Sequence, residues 1–173
     1  MALALPIDAT TEEIRECLRP LRNDFSVALY KAENAFAVGG VIRVAHNFLA
    51  REVLLVGTEP HYEKASMGMH KFESVVELAD TAALLAHAQG RPIWAVEKDS
   101  ATASISHVAS FPPNVVFVFG SERFGLPGEV VERADAVLGI PIYGVNQSLP
   151  LVVAAGIVMH EWARRRYRDG AAI

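Results

Sequence analysis

Two apolar stretches in the last third of the chain each run into a polar loop rich in glycine and proline. Those loops carry residue types that can do chemistry. The first stretch, Val115 to Phe119, leads into Gly120-Ser121-Glu122-Arg123-Phe124-Gly125. A glycine at a strand end lets backbone come close to backbone or ligand, Ser121 can hold the turn, and Glu122 adds a carboxylate. The second stretch, Ala136 to Ile140, leads through Tyr143-Gly144-Val145-Asn146-Gln147 to Ser148-Leu149-Pro150. That loop is long for a plain connection to a helix, and loops of this kind wrap small molecules with backbone N–H and C=O groups. In a parallel α/β sheet, ligands bind outside the carboxyl ends of the strands, so the two loops predict one shared pocket. A further candidate is Arg43, which has no acidic residue three or four positions away to pair with along a helix. Taken alone, it is equally consistent with a solvated arginine.

Other chemistries lack local support. There is no GxGxxG, GxxxxGK[ST] or GxSxG pattern, which leaves dinucleotide-binding, nucleotide-hydrolase and hydrolase-elbow readings without a motif. The six histidines have no ligand spacing with the single cysteine, so no metal site is expected.

Alternating strand and helix signals must position the loops. Thr10 or Thr11 with Glu13 predicts a helix start, and the helix runs to about Leu18 ahead of Pro20. Strands are expected over Phe25–Tyr30, Glu52–Gly57, Ile93–Glu97, Val115–Phe119 and Ala136–Ile140, with a short one over Val75–Leu78. Helices are expected over Gly39–Leu49, Thr81–Gln89, Pro127–Ala134 and Leu151–Arg168, while Lys31–Val38 reads as a loop and Asp99–Ser110 as a surface loop with a little helix near Ser104. This pattern predicts an α/β fold with a mostly parallel sheet and helices on both faces. No linker, repeat or low-complexity segment divides residues 1–173, which predicts a single domain.

Composition bounds the rest. At 51% hydrophobic and 21% charged residues, the chain has the balance of an ordinary globular protein. Apolar runs are broken well before membrane-spanning length, and no basic segment precedes an apolar core at the start, so neither a membrane partner nor a secretory leader is expected. Lone Cys17 fits a reducing compartment, and the cytoplasm is the expected location. A net charge of −4 argues against the wholesale basic footprint of many nucleic-acid binders, and no DNA partner is expected. A local basic patch stays open at Arg164, Arg165, Arg166 and Arg168, complementary to a helix C-terminus.

With Arg43, Gly120, Glu122 and Ser148 in hand, the chain resembles the SpoU/TrmH-type RNA 2′-O-ribose methyltransferases of the trefoil-knotted methyltransferase superfamily. GGVIRVAHNF matches the first family motif, VFVFGSERFGLP the second and IPIYGVNQSLPLVVAAGIVMHEW the third, in order. The resemblance implies a C-terminal deep trefoil knot, an exception to the rule that connections stay unknotted. It implies S-adenosylmethionine (S-adenosyl-L-methionine) held by backbone around Phe119, Gly120, Ile140, Ser148 and Leu149, and methyl transfer to a ribose 2′-hydroxyl of RNA. A homodimer is implied, with the first and last helices at its interface and Arg43 acting from the neighbouring subunit. Leu151, Val152, Ala155, Ile157, Val158 and Trp162 would divide between core and dimer contact. Arg43, Glu122 and Ser148 are the implied catalytic residues, with Arg43 also on the RNA phosphate beside the C-terminal arginines. A guanidinium does not deprotonate in proteins, so charge stabilisation suits Arg43 better than base catalysis. With no RNA-binding extension expected, tRNA is favoured over rRNA.

Two positions depart from the family pattern. Ala37 stands where the first motif has asparagine, and Pro150 replaces the asparagine of the third motif's SLN. Proline lacks both a side-chain amide and a backbone donor. The alternative is therefore a non-catalytic or substrate-altered cofactor- and RNA-binding relative on the same fold.

Overall fold

The computed structural model describes residues 8–58 and 61–166. Seven strands form one sheet: β1 (Ser26–Tyr30), β2 (Glu52–Val56), β3 (Val75–Leu78), β4 (Ile93–Val96), β5 (Ala103–Ser104), β6 (Val116–Phe119) and β7 (Ala136–Gly139). Their order across the sheet is β3-β2-β1-β6-β4-β7-β5, and every paired neighbour is parallel. The late strands β6 and β7 lie between strands formed earlier in the chain. That interleaving puts the carboxyl ends of β4, β6 and β7 side by side. All residues of β1, β2 and β6 are buried, as expected of parallel strands covered on both faces.

The described residues hold five helices, α1 (Thr11–Leu18), α2 (Ala35–Asn47), α3 (Thr81–His87), α4 (Gly128–Arg133) and α5 (Leu151–Arg166), of which α2 to α5 pack on the sheet. One apolar layer joins Val27, Leu29 and Phe117 to Val38, Ile42 and Ala45 of α2 and to Ala155, Val158 and Trp162 of α5. The opposite layer joins Ala28, Leu54 and Val118 to Leu84 of α3 and Val130 of α4. Alternate strand side chains thus feed the two layers. Within α5, Leu151, Ala155, Val158 and Trp162 belong to the core, whereas Val152 and Ile157 are half-buried and Val153 is exposed.

Two expectations are corrected. The second helix begins at Ala35, not Gly39, because Asn34 caps it: its Oδ1 accepts the N–H groups of Phe36 and Ala37, each at 3.1 Å. Gly39 and Gly40 are therefore interior, where glycine costs about 1 kcal/mol, and contact explains them. A Cβ on Gly39 would lie 2.6 Å from the Tyr62 carbonyl oxygen, and one on Gly40 would lie 3.1 Å from Cγ2 of Val152. The glycines admit the 62–66 segment on one side and α5 on the other. The second correction concerns Asp99–Ser110, which contains edge strand β5 paired to β7 in addition to the short helical turn expected near Ser104, a 3₁₀ turn over Ile105–His107.

Buried charge braces the first layer. The Glu73 carboxylate has no exposed surface and receives Arg22 and His46 Nδ1, the latter at 2.7 Å. Arg22 also donates to the carbonyls of Ala50 at 2.9 Å and Phe72 at 2.6 Å. One side chain thereby ties three loops together.

Candidate active site

Beyond the carboxyl ends of β4, β6 and β7 lies a cavity of about 790 Å³, lined by Val96–Ser100, Phe119–Leu126, Ile140, Ile142 and Asn146–Leu149 among others. This is the pocket expected from the two loops. Its first wall folds back on itself. Gly125 N donates to the Ser121 carbonyl at 2.9 Å, and Phe124 N donates to Ser121 Oγ at 3.0 Å. Gly125 has φ +64°, and a Cβ on Gly120 would stand 2.2 Å from the Gly125 carbonyl carbon. Backbone touches backbone there, leaving no room for any side chain.

The second wall is organised by Asn146. Its Oδ1 accepts from Ser148 N at 3.1 Å and from Ser148 Oγ at 3.0 Å, while Gln147 Nε2 donates to the Gly144 carbonyl at 3.0 Å. With its proton committed to Asn146, the Ser148 hydroxyl retains acceptor capacity. The two walls meet at the start of α5, where Leu151 N donates to Glu122 Oε1 at 3.4 Å. Glu122 thus supplies an acceptor and a negative charge to the positive end of that helix. Pro150 lends its carbonyl to the first turn of α5, accepting from Val153 N at 2.9 Å and Ala154 N at 3.0 Å.

Phe119, Gly120, Glu122, Ile140, Ser148 and Leu149 all line this one cavity. Arg43 does not. It is exposed on α2 and, among the described residues, makes no ion pair. Ala37 is buried against the core. The C-terminal arginines are engaged at the far end of α5. Arg164 pairs with Glu161 at 2.9 Å, and Arg166 approaches Asp24 at 3.4 Å. Arg165 donates to the Val108 and Ile105 carbonyls and to Glu161, and lies over the Phe111 ring. Arg168 lies outside the described residues.

Sequence reasoning missed two residues of the pocket, Asn146 and Glu97. Asn146 precedes Ser148 by two positions, the spacing of an Asx-type turn, and that signal was readable. Glu97 ends the IWAVE strand, and its partner lies on another loop.

The arrangement fits an adenosine-bearing cofactor. The cavity has the size of a small-molecule site, it sits at strand carboxyl ends, and the clash a Cβ would make at Gly120 shows a wall built from bare backbone. It is the cofactor-binding domain of a parallel α/β enzyme. The family follows from comparison. The chain belongs to the SpoU rRNA methylase family, whose model matches residues 24–160. It is 26% identical over 168 residues to the tRNA (guanosine(18)-2′-O)-methyltransferase of Thermus thermophilus, covering 94% of this chain and 86% of the relative. The solved A. aeolicus TrmH/SpoU tRNA modifying enzyme superposes with a TM-score of 0.79 at 25% identity, over 90% of this chain and 82% of that one. The AdoMet-bound rRNA methyltransferase from Sinorhizobium meliloti gives a TM-score of 0.77 at 26% identity, over 90% and 61%. The seven-stranded parallel sheet and its flanking helices are consistent with the trefoil-knot fold of this family. No helix among the described residues is long and apolar enough to cross a membrane.

Proposed function

We propose that the protein transfers the methyl group of S-adenosylmethionine to a ribose 2′-hydroxyl of RNA, at a site completed by two protomers. The observation that carries this reading is the division of the functional residues. Glu122 and Ser148 line the cavity, while Arg43 stands exposed on another surface with no ion pair among the described residues.

When bound, S-adenosylmethionine supplies an electrophilic methyl group on a sulfonium sulfur. Phe119, Gly120, Ile140, Ser148 and Leu149 hold it, largely through backbone. Glu122 fixes the first loop to the start of α5 and so sets the spacing of the two walls. Arg43, from the other protomer, holds an RNA phosphate as a bidentate donor and stabilises the charge that develops on the 2′-oxygen. The half-buried Val152 and Ile157 and the exposed Val153 of α5 form an apolar surface suited to the dimer contact. Arg164 and Arg166, which keep exposed surface, extend the RNA contact, while Arg165 mainly anchors the helix end.

The substrate is more specifically a tRNA, in line with the T. thermophilus relative, and the location is the cytoplasm, in line with free, exposed Cys17. Incubation with labelled cofactor and total RNA, followed by alkaline hydrolysis, tests the reaction. Label in alkali-resistant dinucleotides is expected. Cofactor and RNA binding without such label would instead support a non-catalytic relative, the reading motivated by Ala37 and Pro150.

A further inference from the structure

Glu97 follows the last residue of β4 and lines the cavity. Its carboxylate makes two hydrogen bonds, both from backbone. Oε1 accepts from Lys98 N at 2.8 Å, and Oε2 accepts from Leu126 N at 3.0 Å. Lys98 is its neighbour, but Leu126 lies 29 positions further on, at the end of the loop that forms the first wall. Among the described residues no cation pairs with this carboxylate.

The carboxylate sits directly against the opposing loop, at a residue whose left-handed backbone, φ +64°, favours glycine. A Cβ at Gly125 would sit 2.4 Å from Glu97 Oε2, and Gly125 in turn abuts Gly120. Carboxylate, Gly125 backbone and Gly120 backbone are therefore stacked with no side chain between them. The motif GSERFG has glycine at both ends for two reasons: Gly120 meets the Gly125 backbone, and Gly125 has a left-handed φ of +64° with the Glu97 carboxylate beside it.

We propose that Glu97 is a positioning residue for the methyl donor: its carboxylate latches the 120–126 loop to the end of β4 and holds the Phe119–Glu122 backbone where the cofactor binds. This rests on reading the cavity as the cofactor site. A carboxylate suits the task because each oxygen accepts one N–H. The amide of Glu97→Gln keeps one acceptor and turns an N–H donor toward the other N–H. A methyl side chain in Glu97→Ala keeps neither bond.

Two readouts test the latch. Titration calorimetry with S-adenosylhomocysteine is expected to show about 10-fold weaker binding for Glu97→Gln and about 100-fold for Glu97→Ala, roughly a tenfold for each hydrogen bond lost. Hydrogen exchange on the free protein is expected to speed up at the Leu126 amide while the amides of β1 and β6 stay protected. In turnover, KM for the cofactor is expected to rise far more than kcat falls, with KM for RNA unchanged. Variants that bind S-adenosylhomocysteine like the wild type, with Leu126 exchange unaltered, would overturn the inference alone. Exchange that accelerates across the whole sheet in both variants would also overturn it, by showing a general structural role. A wild-type protein that takes up no S-adenosylhomocysteine would defeat the cofactor reading itself.

Discussion

The backbone contact inside the first loop allows a sharp perturbation, Gly120→Ala. The added methyl would meet the Gly125 carbonyl carbon at 2.2 Å, its oxygen at 2.3 Å and Leu126 N at 2.5 Å. All three are main-chain atoms, so no rotamer change relieves the clash. Reaching an ordinary contact of 3.4 Å requires a displacement of about 1.2 Å (3.4 minus 2.2). Overpacking of this kind costs about 1–3 kcal/mol. The displacement also breaks the Gly125–Ser121 and Leu126–Glu97 hydrogen bonds, each worth about 0.5–1.5 kcal/mol net. The expected total is about 2–6 kcal/mol, and it falls on the cavity wall. Calorimetric titration with S-adenosylhomocysteine should show affinity lower by about 30-fold or more, the equivalent of the lower end of that range. Circular dichroism should keep its native form, because the strands are untouched. Gly40→Ala is the control, since its new methyl meets only a side chain, Cγ2 of Val152, at 3.1 Å. Wild-type affinity in Gly120→Ala would refute the claim that bare backbone forms this wall.

Further predictions concern the cation, the core and the acid limb. Arg43→Ala is expected to lower methyl transfer by about 10² to 10³, the scale for losing one charge-stabilising donor, with S-adenosylhomocysteine binding unchanged; parallel turnover and titration measurements check this. Arg22→Ala leaves the buried Glu73 carboxylate with His46 alone, which should cost about 3 kcal/mol and lower Tm by roughly 10 °C in a scanning calorimeter. Glu52 tests the sign of pH dependence. Burial works to raise its pKa, but hydrogen bonds from Arg91, Ser26 and His87 outweigh it and hold the carboxyl below its ordinary 4.5. Its contribution to stability is therefore complete above that value and lost as the pH falls through the lowered one. Glu52→Gln should be less stable at neutral pH and show a shallower fall of Tm in acid. Identical acid slopes for variant and wild type would contradict this.

Much of the site was legible because it is local. GSERFG and the Ser148 loop announce themselves by composition, and the buried strands by continuous apolar runs. The features that escaped depend on distant partners or on caps. The Gly39-Gly40 pair reads as a poor helix interior until the Tyr62 carbonyl and Val152 are seen to need the space. Asn34 is the cap that moves the helix start to Ala35. Edge strand β5 has only two residues, and its pairing with β7 carries no periodic signal. Arg165 looks like part of a basic patch in sequence, but the Ile105 and Val108 carbonyls that engage it lie some 60 positions away. Glu97 has the same character, an ordinary strand-end glutamate whose partner amide belongs to another loop.

In the proposed enzyme the cradle of one protomer works with Arg43 of the other. Subunit complementation tests it most directly. Arg43→Ala and Gly120→Ala chains, each inactive alone, are co-expressed in equal amounts with distinct tags and assayed for methyl transfer to RNA. In the heterodimer one site joins an intact cradle to an intact arginine, so roughly a quarter of wild-type activity is expected to return for a symmetric dimer. If purified heterodimers have no activity while wild-type dimers methylate the same RNA, Arg43 does not reach across, and the two-protomer site is wrong.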